Sequence, residues 1–225
     1  MQPAIRILYE DDCLVVFDKP SGLLVIPAPQ EKSHTLTDIV NRQCAVASQT
    51  KLYPCHRLDR ETSGVIIYAR GKANQQLMMN EFHKGTVKKT YLAFVLGKMK
   101  NPAGEIKSVI RDFHQDRFES HGRRGKSPGK LAITRYKVVA VKRQFSVVEV
   151  FPVTGRTNQI RIHFSELGHP LLGERLYALG RDFPVKFRRV ALHSGEVTFP
   201  HPVLKKNITV TSELAKDMEN FWNRY

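Results

Sequence analysis

Short apolar runs recur along this chain, and their lengths of four to nine residues are typical of strands rather than of long helices. Six segments have this character: residues 5–9, 14–17, 65–69, 88–96, 133–141 and 145–150. The acidic residues 10–12 separate the first two runs and predict a β-hairpin. Because most of these strands are expected to pair with a sequence neighbour, the predicted class is α+β, with an antiparallel sheet and flanking helices.

Fewer segments have helical character, and they fall between or after the predicted strands. They are residues 35–47, 72–84, 156–167 and 212–225. In the second of these, Ala73, Leu77 and Phe82 are expected to face inward, and Gly85 is expected to end the helix. The third has an apolar face formed by Ile160, His163, Phe164 and Leu167. Since no internal repeat or linker interrupts the pattern, we expect a single domain over residues 1–225.

The chain is strongly basic, with 36 lysines and arginines against 21 acidic residues, a net charge of +15 and a pI near 9.9. Such an excess favours a polyanionic partner, because neutralising phosphates releases counterions. The alternative is a basic surface that has no nucleic-acid partner. No apolar stretch approaches the roughly 18 residues of a membrane span, so no membrane partner is expected.

The three cysteines, Cys13, Cys44 and Cys55, are odd in number and have no Cys-x-x-Cys spacing. This argues against a disulfide framework and a structural zinc site, and it favours the cytoplasm as compartment. Cys55 adjoins His56, but a small buried thiol is favoured over a catalytic dyad. No phosphate-binding glycine loop or metal-binding histidine motif is present, so neither a cofactor nor a metal is expected.

The most informative candidate catalytic residues lie in the segment 55–64, which reads Cys-His-Arg-Leu-Asp-Arg-Glu-Thr-Ser-Gly. Asp59 stands between two arginines, just before a glycine and a predicted buried strand. A carboxylate among cations is held ionised, which suits a nucleophile better than a proton donor. A helix cap or a surface ion pair would explain the same local pattern, so the residues alone leave both interpretations open.

The string His-Arg-Leu-Asp-x-x-Thr-Ser-Gly resembles the catalytic motif of the RluA-type pseudouridine synthases, which isomerise uridine to pseudouridine within RNA. Three more segments resemble motifs of that family, in the family's order. Residues 16–25 resemble its Lys-Pro-x-Gly segment, residues 89–93 its Lys-x-Tyr-x-Ala strand, and residues 154–163 its Gly-Arg-Thr-His-Gln-Ile-Arg helix. The resemblance implies a mixed sheet with a central active-site cleft, and a catalytic domain without the extra RNA-binding domain that many relatives carry.

The resemblance also implies catalytic roles for three residues. Asp59 matches the catalytic aspartate, which would attack the ribose or the uracil ring or abstract a ribose proton, and the sequence does not decide among these. Arg161 matches the arginine paired with that aspartate, and its bidentate fork would hold the carboxylate ionised and aimed. Tyr91 matches the tyrosine that stacks on the target base, and it is a candidate to take the proton from carbon 5.

Five further residues are candidates for binding RNA. Arg57 matches the position that fills the gap left by the extruded uridine. His56 is expected to hydrogen-bond to backbone and shape the loop. Lys19 would either contact phosphate or cap a turn. Arg156 and Thr157 would open a helix whose N-terminal amides favour a phosphate.

Residues 111–130 are rich in arginine, histidine, glycine and serine and contain almost no aliphatic residues. We predict a mobile basic loop here, in which Arg123, Arg124 and Lys126 contact phosphates when RNA binds. A solvated surface excursion is the alternative.

Two segments depart from the family pattern: Asn158 replaces the usual histidine, and Glu174 and Ala178 replace the aspartate and the last glycine of a Gly-Asp-x-x-Tyr-Gly segment. We expect neither change to touch Asp59, Tyr91 or Arg161, and therefore expect an active enzyme.

The predicted function is isomerisation of a specific uridine in a stem-loop of ribosomal or transfer RNA by a monomeric, cytoplasmic protein. The alternative from another class is a catalytically silent RNA-binding protein or RNA chaperone with the same fold. A hydrolase that uses Asp59 lacks a second well-placed carboxylate.

Overall fold

A ten-stranded mixed sheet organises the part of the chain that the computed structural model describes, namely residues 4–28, 34–45, 50–111, 129–178 and 180–225. Its strands are β1 (Ile7–Glu10), β2 (Leu14–Lys19), β3 (Leu52–Pro54), β4 (Ser63–Arg70), β5 (Lys88–Leu96), β6 (Ala103–Ile110), β7 (Lys130–Val141), β8 (Phe145–Pro152), β9 (Leu192–Pro200) and β10 (Asn207–Thr211). The main path runs β1-β2-β4-β9-β5-β8-β7-β6, with β10 paired to β9 and β3 to β4. The predicted α+β class with a largely antiparallel sheet is confirmed, as are the β1–β2 and β7–β8 pairs.

A parallel junction between β4 and β9 joins the two halves of the sheet, at the pairs Ser63 with His193 and Gly64 with Ser194. Gly64 has a φ of +105°, and a Cβ built on it would overlap the carbonyl of Ser194. Only glycine allows both this backbone conformation and this close approach. The junction lies at the middle of the sheet, immediately after the Asp59 segment.

Four helices flank the sheet in the described ranges: α1 (Leu36–Cys44), α2 (Gly71–Lys84), α3 (Gln159–Glu166) and α4 (Lys216–Arg224). Thr35 and Asp38 form a capping box at the start of α1. Gly85 ends α2 in the left-handed conformation, as predicted. The predicted starts of the last two helices were too early, because Asn158 and Ala215 are the N-caps that precede α3 and α4.

Three apolar clusters form the core. The largest packs α1 and α3 against the sheet through Val40 and Phe164, whereas α2 contributes Met78 to the second cluster and α4 contributes Phe221 to the third. The prediction that Ala73 and Leu77 face inward was wrong, since both are exposed (Leu77 by 43%) and Met78 is fully buried, whereas Phe82 packs against the second cluster as predicted.

Ile160, His163 and Phe164 of α3 are buried as predicted, whereas Leu167, after the end of the helix, is 39% exposed. None of the described helices is both long and apolar enough to cross a membrane. Most of the predicted basic loop, including Arg123, Arg124 and Lys126, lies outside the described residues.

Candidate active site

A cleft of about 480 Å³ opens at the middle of the sheet, between the segment that joins β3 to β4 and the segment that joins β8 to α3. Tyr91 of β5 and Leu192 of β9 lie in its wall. Among the described residues that line it, Asp59 is the one carboxylate, and the cations are Arg57, Lys89 and Arg156. The cleft is therefore cationic around a single acidic group.

The segment that carries Asp59 is joined to β4 by hydrogen bonds to the backbone of Ile67. The Cys55 N–H donates to the Ile67 carbonyl over 2.9 Å, and the Ile67 N–H donates to Nε2 of His56 over 3.0 Å. Beyond Asp59, the Thr62 N–H donates to the Asp59 carbonyl over 3.1 Å. Asp59 is thus the first residue of a tight turn, and its side chain lines the cleft.

Burial lowers the pKa of His56 to about 3, so its imidazole is neutral and accepts a hydrogen bond. The ring also packs against Phe82 of α2, with centroids 4.8 Å apart. His56 therefore has the loop-shaping contact expected of it, although it also lines the cleft.

Lys19 binds the backbone of the segment that carries Asp59. Its side chain is fully buried, and its Nζ donates to the carbonyls of Pro20, Arg60 and Thr62 over 2.8–3.1 Å. Burial lowers the pKa of Lys19 to about 7, although the nearby Asp59 charge opposes this shift. A phosphate contact by Lys19 is thus contradicted, because the ammonium is enclosed and its donors are used. The turn-capping alternative describes what it does.

Asp59 is partly open to the cleft, with 25% of its side chain exposed, and its Oδ2 lies 3.9 Å from NH1 of Arg161. Burial raises the pKa of the Asp59 carboxyl, while Arg161, Arg57 and Lys19 act in the opposite direction. The sequence predicted that the neighbouring cations hold Asp59 ionised, but desolvation outweighs them and shifts its pKa upward. The group sits closer to its protonated state than a surface aspartate does.

Arg161 does not direct its bidentate fork at Asp59, as the sequence suggested. Its Nε and NH2 donate to the two oxygens of Glu174 over 2.7 and 2.9 Å, and NH1 donates to Oδ1 of Asn158 over 2.8 Å. The guanidinium also lies 5.2 Å from the centroid of the Tyr177 ring. Only the NH1 corner faces Asp59, at a distance longer than a hydrogen bond.

Glu174 is itself fixed in position by burial and by backbone hydrogen bonds. Its side chain is completely buried, and Oε1 also accepts the N–H groups of residues 175, 176 and 177. Although burial acts to raise its pKa, the Arg161 guanidinium and these amides lower it overall. Glu174 is therefore ionised and fixed before any substrate arrives.

Asn158 adopts the left-handed conformation, with a φ of +54°, and Nδ2 donates to the Tyr177 hydroxyl over 3.0 Å. The expectation that neither departure from the family pattern touches Arg161 was wrong, because Asn158 and Glu174 both bind it directly. Sequence reasoning missed Glu174 and Tyr177 as members of the site. The imperfect Gly-Asp-x-x-Tyr-Gly match was the signal that could have identified them.

Tyr91 is 8% exposed and lines the cleft from β5, where it pairs with Val150 of β8 and Ser194 of β9. Burial raises the pKa of Tyr91 to about 12, and the negative charge of Asp59 adds to this. The phenol is therefore protonated at neutral pH. Its ring offers a stacking surface beside Asp59, and a role as a base would require prior loss of its proton.

Arg57, Arg156 and Thr157 lie along the cleft, and both arginines are exposed. The prediction that Arg156 and Thr157 open the helix was wrong, because α3 begins at Gln159, and the Arg156 N–H donates to Oε1 of Gln159 over 3.0 Å. Nε of Arg156 donates to the Leu131 carbonyl over 3.2 Å. A phosphate contact by Arg156 and Thr157 stays a prediction.

Two further groups could in principle be reactive or bind a metal: Cys55, which lines the cleft, and a cluster that does not line it. Burial raises the pKa of Cys55 to about 12, so its thiol is not a nucleophile in the described structure. Asp11, Cys13 and His201 bring possible metal ligands within 4.8 Å of one another. However, Nε2 of His201 bonds to Oδ2 of Asp11 over 2.9 Å, and Nδ1 accepts two backbone N–H groups, so hydrogen bonds already occupy these atoms.

Comparison with known proteins shows strong similarity to one family. The family model described as RNA pseudouridylate synthase matches residues 13–166. The chain is 34% identical to an uncharacterized RNA pseudouridine synthase, YhcT, of Bacillus subtilis, over 98% of this chain and 72% of the relative. It is 33% identical to the dual-specificity RNA pseudouridine synthase RluA of Haemophilus influenzae, over 95% of this chain and 94% of the relative.

A solved structure has the same architecture. It is that of human RNA pseudouridylate synthase domain containing 4, with a TM-score of 0.80 at 25% identity. The similarity covers 97% of this chain and 92% of the human one.

Proposed function

This chain belongs to the RNA pseudouridylate synthase family, and on that basis we propose that it isomerises a specific uridine in a stem-loop of ribosomal or transfer RNA, with Asp59 as the catalytic carboxylate. Members of this family are isomerases that act on RNA. One relative is named a dual-specificity RNA pseudouridine synthase. We place the reaction in the cytoplasm and assign it to a monomer.

One observation carries the assignment of Asp59. Of the described residues that line the cleft, it is the one carboxylate, and it lies beside a tyrosine ring and 3.9 Å from a preorganised guanidinium. A nucleophile or a base in this position needs room to move toward the ribose or the ring. Because Glu174 and Asn158 hold Arg161, Asp59 is free of a short ion pair and can make that movement.

The reaction moves the glycosidic attachment of uracil from nitrogen to carbon 5, so it conserves mass and needs no change of oxidation state. The work left to the protein is to extract the base, break the bond and remove the carbon 5 proton. Extrusion costs a few kcal/mol, and the exposed Arg57 at the cleft edge offers a cation to stack in the vacated position. Tyr91 then presents its ring to the extruded base.

The electrostatics support an RNA substrate. The net charge of +15 and the cationic cleft favour phosphate, and an unstacked base in a loop is the form of RNA that a cleft of this size can admit. A catalytically silent RNA-binding protein would gain nothing from a partly buried carboxylate in a cationic cleft. This comparison favours the enzyme.

The test is pseudouridine mapping on total RNA from cells with and without the gene, complemented by wild type or by Asp59→Asn. Loss of one pseudouridine, restored only by wild type, would establish both the activity and the target. If no site is lost, purified protein is assayed on unmodified transcripts, where pseudouridine formation indicates a redundant enzyme and its absence supports the RNA-binding alternative. A change in substrate mass would instead indicate hydrolysis.

A further inference from the structure

Lys89 is a cation in the cleft that the described structure leaves without a partner. Its side chain lines the cleft wall, half-buried, at the second position of β5. In the described ranges, no hydrogen bond or ion pair engages its ammonium. The other conspicuous buried cations differ: Lys19 contacts three carbonyls, and Arg161 and Arg189 each bind a carboxylate.

The surroundings of Lys89 also contain little negative charge. Asp59 is the one described carboxylate in the cleft lining, and it is already faced by Arg161, Arg57 and Lys19. The neighbouring His56 is neutral, and Lys89 itself helps to keep it so. Burial lowers the pKa of Lys89, in keeping with a half-buried ammonium that has no described carboxylate partner.

Position along β5 relates Lys89 to the rest of the site. Lys89 and Tyr91 are two residues apart on a strand, so their side chains point to the same side and are separated by about 7 Å along the chain. That spacing resembles the separation between a base and the phosphate of its own or the adjoining nucleotide. Across the cleft, a Cβ on Gly155 would lie 3.6 Å from the Lys89 Nζ, so the missing side chain there leaves the ammonium accessible.

We propose that Lys89 binds the RNA backbone phosphate adjacent to the uridine that enters the cleft. This deepens the proposed function and rests on it, because it requires RNA to occupy the same cleft. A phosphate at this point would supply the negative charge that the described protein lacks and would fix the nucleotide while its base stacks on Tyr91. Lys89 is thus a substrate-binding residue beyond those expected from the sequence.

The neighbouring Lys88 offers a matched control. It is exposed, points to the opposite side of β5 and does not line the cleft. Lys88→Gln and Lys89→Gln remove the same charge, so any general effect of net charge is equal in the two variants. Lys89→Arg keeps a cation at the site, and Lys89→Met provides a second neutral variant should the glutamine variant fold poorly.

The probe for binding is a short fluorescein-labelled oligouridylate, titrated with full-length protein at several salt concentrations. Lys89→Gln should weaken binding about tenfold, as expected for loss of a charge-assisted hydrogen bond. It should also reduce the magnitude of the slope of log K against log salt concentration by about 0.7, which is the contribution of one phosphate on a single strand. Lys88→Gln should change affinity by less than about threefold, because a lone exposed charge contributes little, and Lys89→Arg should restore most of the wild-type affinity.

A second titration locates the phosphate. Once the target uridine is mapped, stem-loops are made with one neutral methylphosphonate linkage, on either side of that uridine. The linkage that Lys89 contacts should weaken binding to wild type but not to Lys89→Gln. Fully additive effects at both linkages would overturn the proposed location.

Equal affinities and salt slopes for the Lys88 and Lys89 variants would overturn the inference even if the protein forms pseudouridine. Conversely, absence of pseudouridine together with a specific Lys89 effect on oligouridylate would reject the proposed function and retain the phosphate site. The two proposals therefore fail separately.

Discussion

Arg161 forms a bidentate ion pair with Glu174, whose carboxylate lies 2.7 and 2.9 Å from the guanidinium nitrogens, whereas Asp59 lies 3.9 Å from it. The arginine next to the candidate catalytic carboxylate is therefore held by Glu174 through Nε and NH2, while its NH1 faces Asp59. This arrangement places a fixed positive charge near Asp59 without consuming the lone pairs that a reaction needs. It also explains how a partly buried guanidinium is stabilised before substrate binds.

Removing the Asp59 charge should abolish catalysis while leaving RNA binding largely intact. We expect Asp59→Asn to show no detectable turnover and an RNA affinity within about tenfold of wild type, because the basic surface supplies most of the binding. Single-turnover pseudouridine formation and titration of the mapped stem-loop check this. Retained activity would contradict the assignment of Asp59.

The same variant should be more stable than wild type at neutral pH. Burial raises the pKa of Asp59 in the folded protein, so between its unfolded and folded pKa values the folded state binds more protons. Stability contributed by protonated Asp59 is complete below the unfolded pKa and is lost as pH rises through the folded pKa. The advantage of Asp59→Asn should therefore grow from acidic to neutral pH in urea unfolding, with the exposed Asp12→Asn as control.

The same pKa shift places a limit on activity in acid. If Asp59 reacts as a carboxylate, log(kcat/KM) should fall as pH decreases through a pKa above the ordinary aspartate value. A profile measured on the mapped substrate tests this. If kcat/KM instead falls with an apparent pKa below the ordinary aspartate value, the free enzyme does not use a carboxylate with a raised pKa.

Replacing Glu174 by Gln should disturb both stability and catalysis. Arg161 is only 12% exposed, so loss of its carboxylate partner leaves a poorly compensated charge and should destabilise the fold by about 3 kcal/mol or more. The guanidinium would then be free to turn toward Asp59, and kcat should fall roughly tenfold to a hundredfold. Urea unfolding and single-turnover rates measure the two effects.

The exposed Glu219→Gln provides the control for that experiment, since it removes the same charge from the surface of α4. If Glu174→Gln loses stability but retains the wild-type kcat under folding conditions, Glu174 supports the fold alone and does not position Arg161 for catalysis.

Gly64→Ala should be among the most damaging substitutions of small size. A methyl group there would overlap the Ser194 carbonyl and break the β4–β9 junction, in addition to the strain of a positive φ. We expect a loss of more than about 4 kcal/mol, or failure to fold. Gly22→Ala is the matched control, because Gly22 has a φ of +93° and open space around its Cβ position, so it should cost only about 1–2 kcal/mol.

The strand pattern was largely predictable because it depends on local spacing. The predicted strand at residues 88–96 matches β5 at both ends, and the helix stop at Gly85 was correctly placed by the conformational freedom of glycine. The junction of β4 with β9 was not predicted. Its strands are more than a hundred residues apart, and no local periodicity specifies which distant strand fills the centre of a sheet.

The sequence by itself determined the class of fold, the basic character and, through its motifs, the identity of the residues that meet in the cleft. Those properties follow from residue type and short-range spacing. The tertiary structure alone decided the partners: Lys19 is enclosed by carbonyls of the Asp59 segment, Arg161 is held by Glu174, and Lys89 faces the cleft unpaired in the described protein. Which partner a charged side chain binds depends on distances of a few ångströms and on its access to water. Both are fixed only when segments that are distant in sequence pack together.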